Sequence, residues 1–375
     1  MFAMLFGAWP RVTVGGLDLA ALEVDVAAGR RSAADLQAAV EALVVEAVEA
    51  QIGAGMGFVT DGHVRWADPE AAVLEALATG DTGPDGLLLR AWRTTVAVAA
   101  ATGAAVPAAQ AVPGPYSLGR RAALVPGAST GLPASTGLPA STRLPGDREA
   151  LPGDREAHTL RLAATMAGEL AALAMAGCPL VVVEEPAAVD IGADPAEGAL
   201  FAATQERLLA DLGALEDRMD EADGANLHAM LAITGGSAAE TRPELVFAAP
   251  YRSHLFDLVT GPDNWVLVRA APPERGIVCG ALTVGSEGDQ APVLVWAAQY
   301  AASAGGRGLE RVGLANATPL AALDPAAARR ALEQLGRAAE LAAMPLGRAV
   351  KEGLDPRTIG SRTTAPGSGT PKPPA

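Results

Sequence analysis

Apolar positions along this chain alternate between two spacings, a helical stripe and a short continuous run, with glycine or proline at most of the changes. The clearest stripe is Leu36, Val40, Leu43, Val44, Ala47 and Val48, which recur on one helical face. Ser32 and Asp35 supply a capping-box start, and Gly53 and Gly55 offer the left-handed conformation that stops the helix. A short apolar run at 57–60 follows at once. The same alternation predicts strands at 5–8, 57–60, 106–111, 180–183, 227–233, 255–259, 277–284 and 312–316. Helices are predicted at 33–51, 87–101, 159–176, 196–219, 243–249, 264–270, 293–304 and 325–343. Eight strand and helix pairs imply a (β/α)8 TIM barrel, written as one domain over residues 1–345.

Length alone, 375 residues, suggests two or three domains, but barrels of this size occur as one unit. Hydrophobic residues make up 50% of the chain, mostly Ala, Val and Leu, so a large core is available although aromatics are only 4%. Two segments break the pattern. Residues 122–157 hold ASTGLP, ASTGLP and ASTRLP in tandem and LPGDREA twice, too short and too rich in proline to build a core face. This stretch is expected to be a disordered insertion after the third strand, and residues 346–375 a disordered tail.

A net charge of −15 argues against nucleic acid and against an anionic membrane surface as partners, because both require clustered Lys and Arg. Cys178 and Cys279 lie far apart in apolar surroundings, which gives no disulfide framework and points to a cytoplasmic, reducing compartment. The start MFAMLFGAWPR reads as a strand, not a signal peptide, and Gly103 and Pro107 break the apolar stretch at 95–112, so no membrane span is expected. The expected partner is a small molecule.

In parallel α/β folds the polar groups just past the carboxyl ends of strands carry the chemistry. Here those positions hold Trp9 and Arg11 after the first strand, Asp61, His63, Arg65 and Trp66 after the second, and Tyr116 after the third. Glu184 and Glu185 end the fourth, where adjacent side chains point to opposite sides and one faces the mouth. Asp257 lies on the sixth. His228, inside the fifth, fits a core histidine better than a ligand. The runs GAGMG and GGS lack the following helix that a phosphate loop needs.

Four stretches carry a resemblance: GAWPR at 7–11, Gln51 to Arg65 with TDGH at its centre, PGPYSLG at 113–119 and GCPLVVVEEPA at 177–187. Their order and spacing resemble the cobalamin-independent methionine synthase family, its catalytic barrel and its shorter single-barrel relatives, over about residues 5–345. The resemblance implies methyl transfer from methyltetrahydrofolate to the thiol of homocysteine. In that family a zinc ion, held by a His-x-Cys pair, an acidic residue and a cysteine, lowers the thiol's pKa.

Carried onto this chain, the His-x-Cys pair falls on Leu231 and Ile233 or, three residues earlier, on His228 and Met230. The last cysteine falls on Thr318, and only Asp257 matches a ligand type. Zinc is therefore expected to be absent, with His228 and Asp257 the weak metal candidates and a folate-type donor the candidate cosubstrate. Asp257 and Glu185 are the candidate catalytic carboxylates, and Trp9, Arg11, Asp61, His63, Tyr116 and Glu184 the candidate substrate contacts. His63 stands where the family has Glu, and Glu184 where it has Asp. Two alternatives remain: a metal-free lyase similar to uroporphyrinogen decarboxylases, and a small-ligand-binding barrel without catalysis.

Overall fold

A computed structural model describes residues 1–124, 152–216, 227–286 and 288–354. Among the described residues seven strands form one parallel sheet: β1 (Phe2–Met4), β2 (Gln110–Pro113), β3 (Leu180–Glu184), β4 (His228–Ile233), β5 (Ser253–Asp257), β6 (Gly276–Leu282) and β7 (Val312–Asn316). Their order is β1-β7-β6-β5-β4-β3-β2, so the chain winds round the sheet one neighbour at a time. The expected strand at 57–60 is present only as a parallel bridge, Val59 to Ala108. It still pairs on both sides. Gly57 N–H donates to the Ala3 carbonyl at 2.8 Å, Val59 N–H to Pro107 at 3.1 Å and Ala109 N–H to Val59 at 2.8 Å.

Two buried amide side chains hold this seam. Gln51 accepts from Thr60 N–H at 2.9 Å and donates to the Thr60 carbonyl at 2.7 Å, as a neighbouring strand would. Asn316 treats Phe6 the same way, at 2.9 and 2.7 Å. Backbone groups in this seam are thus satisfied without a regular ladder.

Alternation along the strands separates two cores. Met4, Phe6, Leu180, Val182, Met230, Leu255 and Val278 pack together on the inner face. Val181, Val183, Leu231, Phe256, Cys279 and Leu314 face the helices in a second cluster. The helix layer is α1 (Leu19–Ala27), α2 (Ala33–Gly53), α3 (Pro69–Thr79), α4 (Leu87–Ala101), α5 (Pro115–Leu124) and α6 (Pro152–Met175) in the first half. It continues with α7 (Pro195–Glu216), α8 (Pro243–Val246), α9 (Trp265–Ala270), α10 (Ala291–Ser303), α11 (Pro325–Ala343) and α12 (Leu346–Lys351). Among the described residues no helix is long and apolar enough to cross a membrane.

Several expectations shift. The first strand runs over Phe2–Met4 instead of 5–8, because Gly7 turns left-handed at φ 66° and ends the extended run early. The sixth predicted strand moves two residues earlier, to Ser253–Asp257. Helix α3 was not anticipated, although Asp68 caps Ala71 N–H, Pro69 opens the helix and Gly80 closes it. Helix α1 was also missed; its cap is Asp18, which accepts from Ala20 N–H. The insertion expected over 122–157 is helical at both flanks, in α5 and α6, and its residues 125–151 lie outside the described residues. Likewise the expected tail begins with α12, whose Ala349 and following Leu354 are buried, and residues 355–375 lie outside the described residues.

Candidate functional site at the carboxyl end of the sheet

The loop after Thr60 has its shape fixed by backbone before any side chain is considered. Gly62 sits at φ 60°, and a Cβ there would come within 2.7 Å of Trp9 Cβ. That closeness lets the Gly62 carbonyl accept from Trp9 N–H at 2.8 Å, joining the loops on the two sides of the seam. His63 follows at φ 54°, the only left-handed non-glycine among the described residues. Such a conformation stores strain and persists where the surroundings over-determine it. Asp61 supplies the restraint: one oxygen accepts from His63 N–H at 3.0 Å and the other from Arg65 Nε at 3.1 Å.

Glu184 shares the inward parity of Leu180 and Val182, so its carboxylate rises from the inner face. It meets His63 across the mouth, Nε2 to Oε2 at 3.1 Å. Burial opposes charge on the imidazole, but the Glu184 carboxylate, its hydrogen bond and Asp61 outweigh that and hold the His63 pKa above its ordinary value. The pair is only half used. His63 Nδ1, Glu184 Oε1, Arg65 Nη2 and Trp9 Nε1 are buried with no partner. Among the described residues only His254 adds further buried side-chain atoms of this kind. Four unsatisfied atoms on one small group of residues call for an explanation, since buried polar groups are ordinarily paired.

The other expected site residues are placed differently. Glu185 points outward, where its carboxylate is fully buried and accepts from Tyr116 N–H, Ser117 N–H, Ser117 O–H and Gln205 Nε2 at 3.0, 2.8, 2.7 and 2.7 Å. It serves as the missing N-terminal cap of α5. Gly114 makes room, because a Cβ there would collide with that carboxyl group. Burial pushes the Glu185 pKa up while Ser117, Gln205 and Tyr116 pull it back. Tyr116 stacks edge-on against Phe201 and donates its hydroxyl to Glu197 at 2.6 Å; burial, then Glu197, raises its pKa.

Arg11 spends its guanidinium on Glu23 of α1 and on the Val64 carbonyl. Asp257 accepts from the backbone N–H groups of Gly235, Val259 and Thr260. His228 opens β4 and Asp257 closes β5, so the two weak metal candidates stand at opposite ends of a parallel sheet and do not converge. Among the described residues no three His, Cys, Asp or Glu side chains gather in a metal-binding group. Cys279 faces the helix layer, and burial pushes its thiol up to about 12. The residues described do not fit a thiolate zinc site. Arg65 joins the site besides the expected substrate contacts, and its spacing of four from Asp61 is the signal for it in the sequence.

No family model matches the chain, and no curated protein matches it. Solved structures do. One, provisionally named a vitamin-B12 independent methionine synthase, from Listeria monocytogenes, aligns at TM-score 0.62 and 17% identity over 91% of this chain and 97% of its own. Another, a B12-independent methionine synthase from Shewanella sp. W3-18-1 in complex with selenomethionine, aligns at TM-score 0.61 and 12% identity over 93% and 98%. The chain has the fold of these proteins. That agrees with the resemblance read from the four motifs, and it extends over nearly the whole chain.

Proposed function

We propose that this chain is a methionine synthase-like (β/α)8 barrel, closed by the 57–60 segment, whose mouth binds a small zwitterionic amino acid. The observation that carries the reading is the set of four unpartnered atoms. Trp9 Nε1 and Arg65 Nη2 are donors, His63 Nδ1 is one when the ring carries both protons, and Glu184 Oε1 is an acceptor. Three donors suit a carboxylate and the free carboxylate oxygen suits an ammonium group, so one α-amino acid complements all four. Selenomethionine in the Shewanella relative is a ligand of that class.

The reading leaves out the family's zinc, because the donor types and positions described above do not support it. Asp257 and Glu185 act as scaffold in it, and the ligand contacts are Trp9, His63, Arg65 and Glu184 with Asp61 positioning two of them. Calorimetric titration with methionine and with homocysteine tests the site. Binding of either that is lost in Glu184→Gln is the expected result; no binding of both by the folded wild type overturns it. Methyl transfer from methyltetrahydrofolate to homocysteine is expected at background level. Stoichiometric zinc that survives dialysis, together with turnover, would restore the full family chemistry.

A further inference from the structure

Of the four unpartnered atoms at the mouth, three have a fixed role. An indole N–H and a guanidinium N–H donate whatever the pH near neutrality, and a carboxylate oxygen accepts. That accounts for Trp9 Nε1, Arg65 Nη2 and Glu184 Oε1. His63 Nδ1 is the exception: bare, it accepts, and protonated, it donates.

The geometry also fixes which ring nitrogen titrates. Nε2 stands 3.1 Å from Glu184 Oε2, and because a carboxylate only accepts, Nε2 carries its hydrogen in the neutral ring as well as in the charged one. The second proton therefore arrives at Nδ1. The surroundings hold the ring to these roles: its side chain is 3% exposed, its backbone N–H is tied to Asp61 Oδ1 at 3.0 Å, and the Trp66 ring lies against it with centroids 6.2 Å apart. Charged groups reach it from two directions, Glu184 on β3 and Asp61 in its own loop, while Arg65 in that loop is engaged through Nε with Asp61. Burial resists the second proton. Glu184 and Asp61 more than offset that, so the change of role falls above the ordinary imidazole value of 6.5.

We infer, resting on the reading of the mouth as an amino-acid site, that His63 sets which ligand the mouth accepts: with Nδ1 protonated it takes the carboxylate of an α-amino acid, and with Nδ1 bare it favours the matching amino alcohol, which keeps the ammonium group and lacks the carboxylate. In the first state the site offers three donors to one anion. In the second, Nδ1 and Glu184 Oε1 are two acceptors, which suits an ammonium group and turns a carboxylate away. A carboxylate that binds the neutral ring form therefore brings one proton in with it.

Methionine and methioninol share a side chain and an ammonium group, so the ratio of their affinities, titrated calorimetrically into the full chain from pH 6 to 9, isolates the carboxylate. The ratio should favour methionine at pH 6 and fall by about tenfold per pH unit across the His63 titration. Over the falling range methionine should take up protons, approaching one per site, as read from its binding heat in buffers of different ionisation enthalpy, and methioninol should take up none. In His63→Gln the ratio should not change with pH. A wild-type ratio that stays constant from pH 6 to 9 overturns the inference and leaves the amino-acid reading standing, because methionine still binds. Absence of binding by both ligands at every pH overturns that reading and this one with it. A folded His63→Gln chain whose ratio falls like that of the wild type removes the role from His63. Should His63→Gln fail to fold, the wild-type ratio and proton count decide alone.

Discussion

On the inner side of β3, Glu184 meets one imidazole and keeps one oxygen without a partner, while on the outer side its neighbour Glu185 accepts four hydrogen bonds. The residue type is the same and the position differs by one. What separates them is completeness. The outer carboxylate has a donor for every contact it makes and so belongs to the scaffold, and the inner one keeps an oxygen open.

The largest test of this contrast is Glu185→Ala. It strands the N–H groups of Tyr116 and Ser117 and the Gln205 amide in the interior, so unfolding free energy should fall by about 3 to 5 kcal/mol, read from the denaturant midpoint. A loss under about 1 kcal/mol would show that the outer carboxylate is not scaffold. Glu184→Gln should do the reverse: stability within about 1 kcal/mol of wild type, and methionine affinity down by about 10- to 100-fold.

The pairing of His63 gives a pH signature. Its folded pKa is raised above the unfolded value, so the stabilisation is full below about pH 6.5, the ordinary imidazole value, and is lost as pH rises through the raised one. The stability difference between wild type and His63→Gln, measured from pH 5 to 9, should therefore shrink with rising pH. A difference that grows with pH would mean that the ring is held neutral. Arg11→Ala should have the smallest effect, about 0.5 kcal/mol, because its pair with Glu23 is partly exposed at 16% and 34%, and it should leave methionine affinity unchanged. A large loss of affinity would return Arg11 to the site.

The winding was legible because β3 to β7 are apolar runs bounded by turns and each is followed by a helical stripe. Residues 312–316, 325–343 and 87–101 match their elements at both ends. The start of the chain was less so, since MFAMLF is apolar throughout and offers several strand registers. The site was half legible. That polar residues end the strands could be read, but not which are already spoken for. Arg11 read as a substrate contact because α1, which brings Glu23 to it, had no anticipated place. Asp257 read as catalytic because the three backbone donors that occupy it belong to turns that side-chain spacing does not reveal. His228 was closer to legible: a residue at the first position of a parallel strand lies at the end opposite the mouth.

The seam closed by Gln51 and Asn316 also bears on how the molecule breathes. Elsewhere in the sheet a backbone amide is held by a ladder that neighbouring pairs reinforce; at Thr60 and Phe6 it is held by a single buried side chain. Hydrogen exchange at those two amides is therefore expected to need a smaller local opening than exchange within the ladder. Trp9 and His63 sit on the two loops that this seam joins, so an occupant held by both, and by Glu184 across the mouth, acts as a stitch. It would slow exchange at Thr60 in proportion to its occupancy, a readout of binding that needs no turnover.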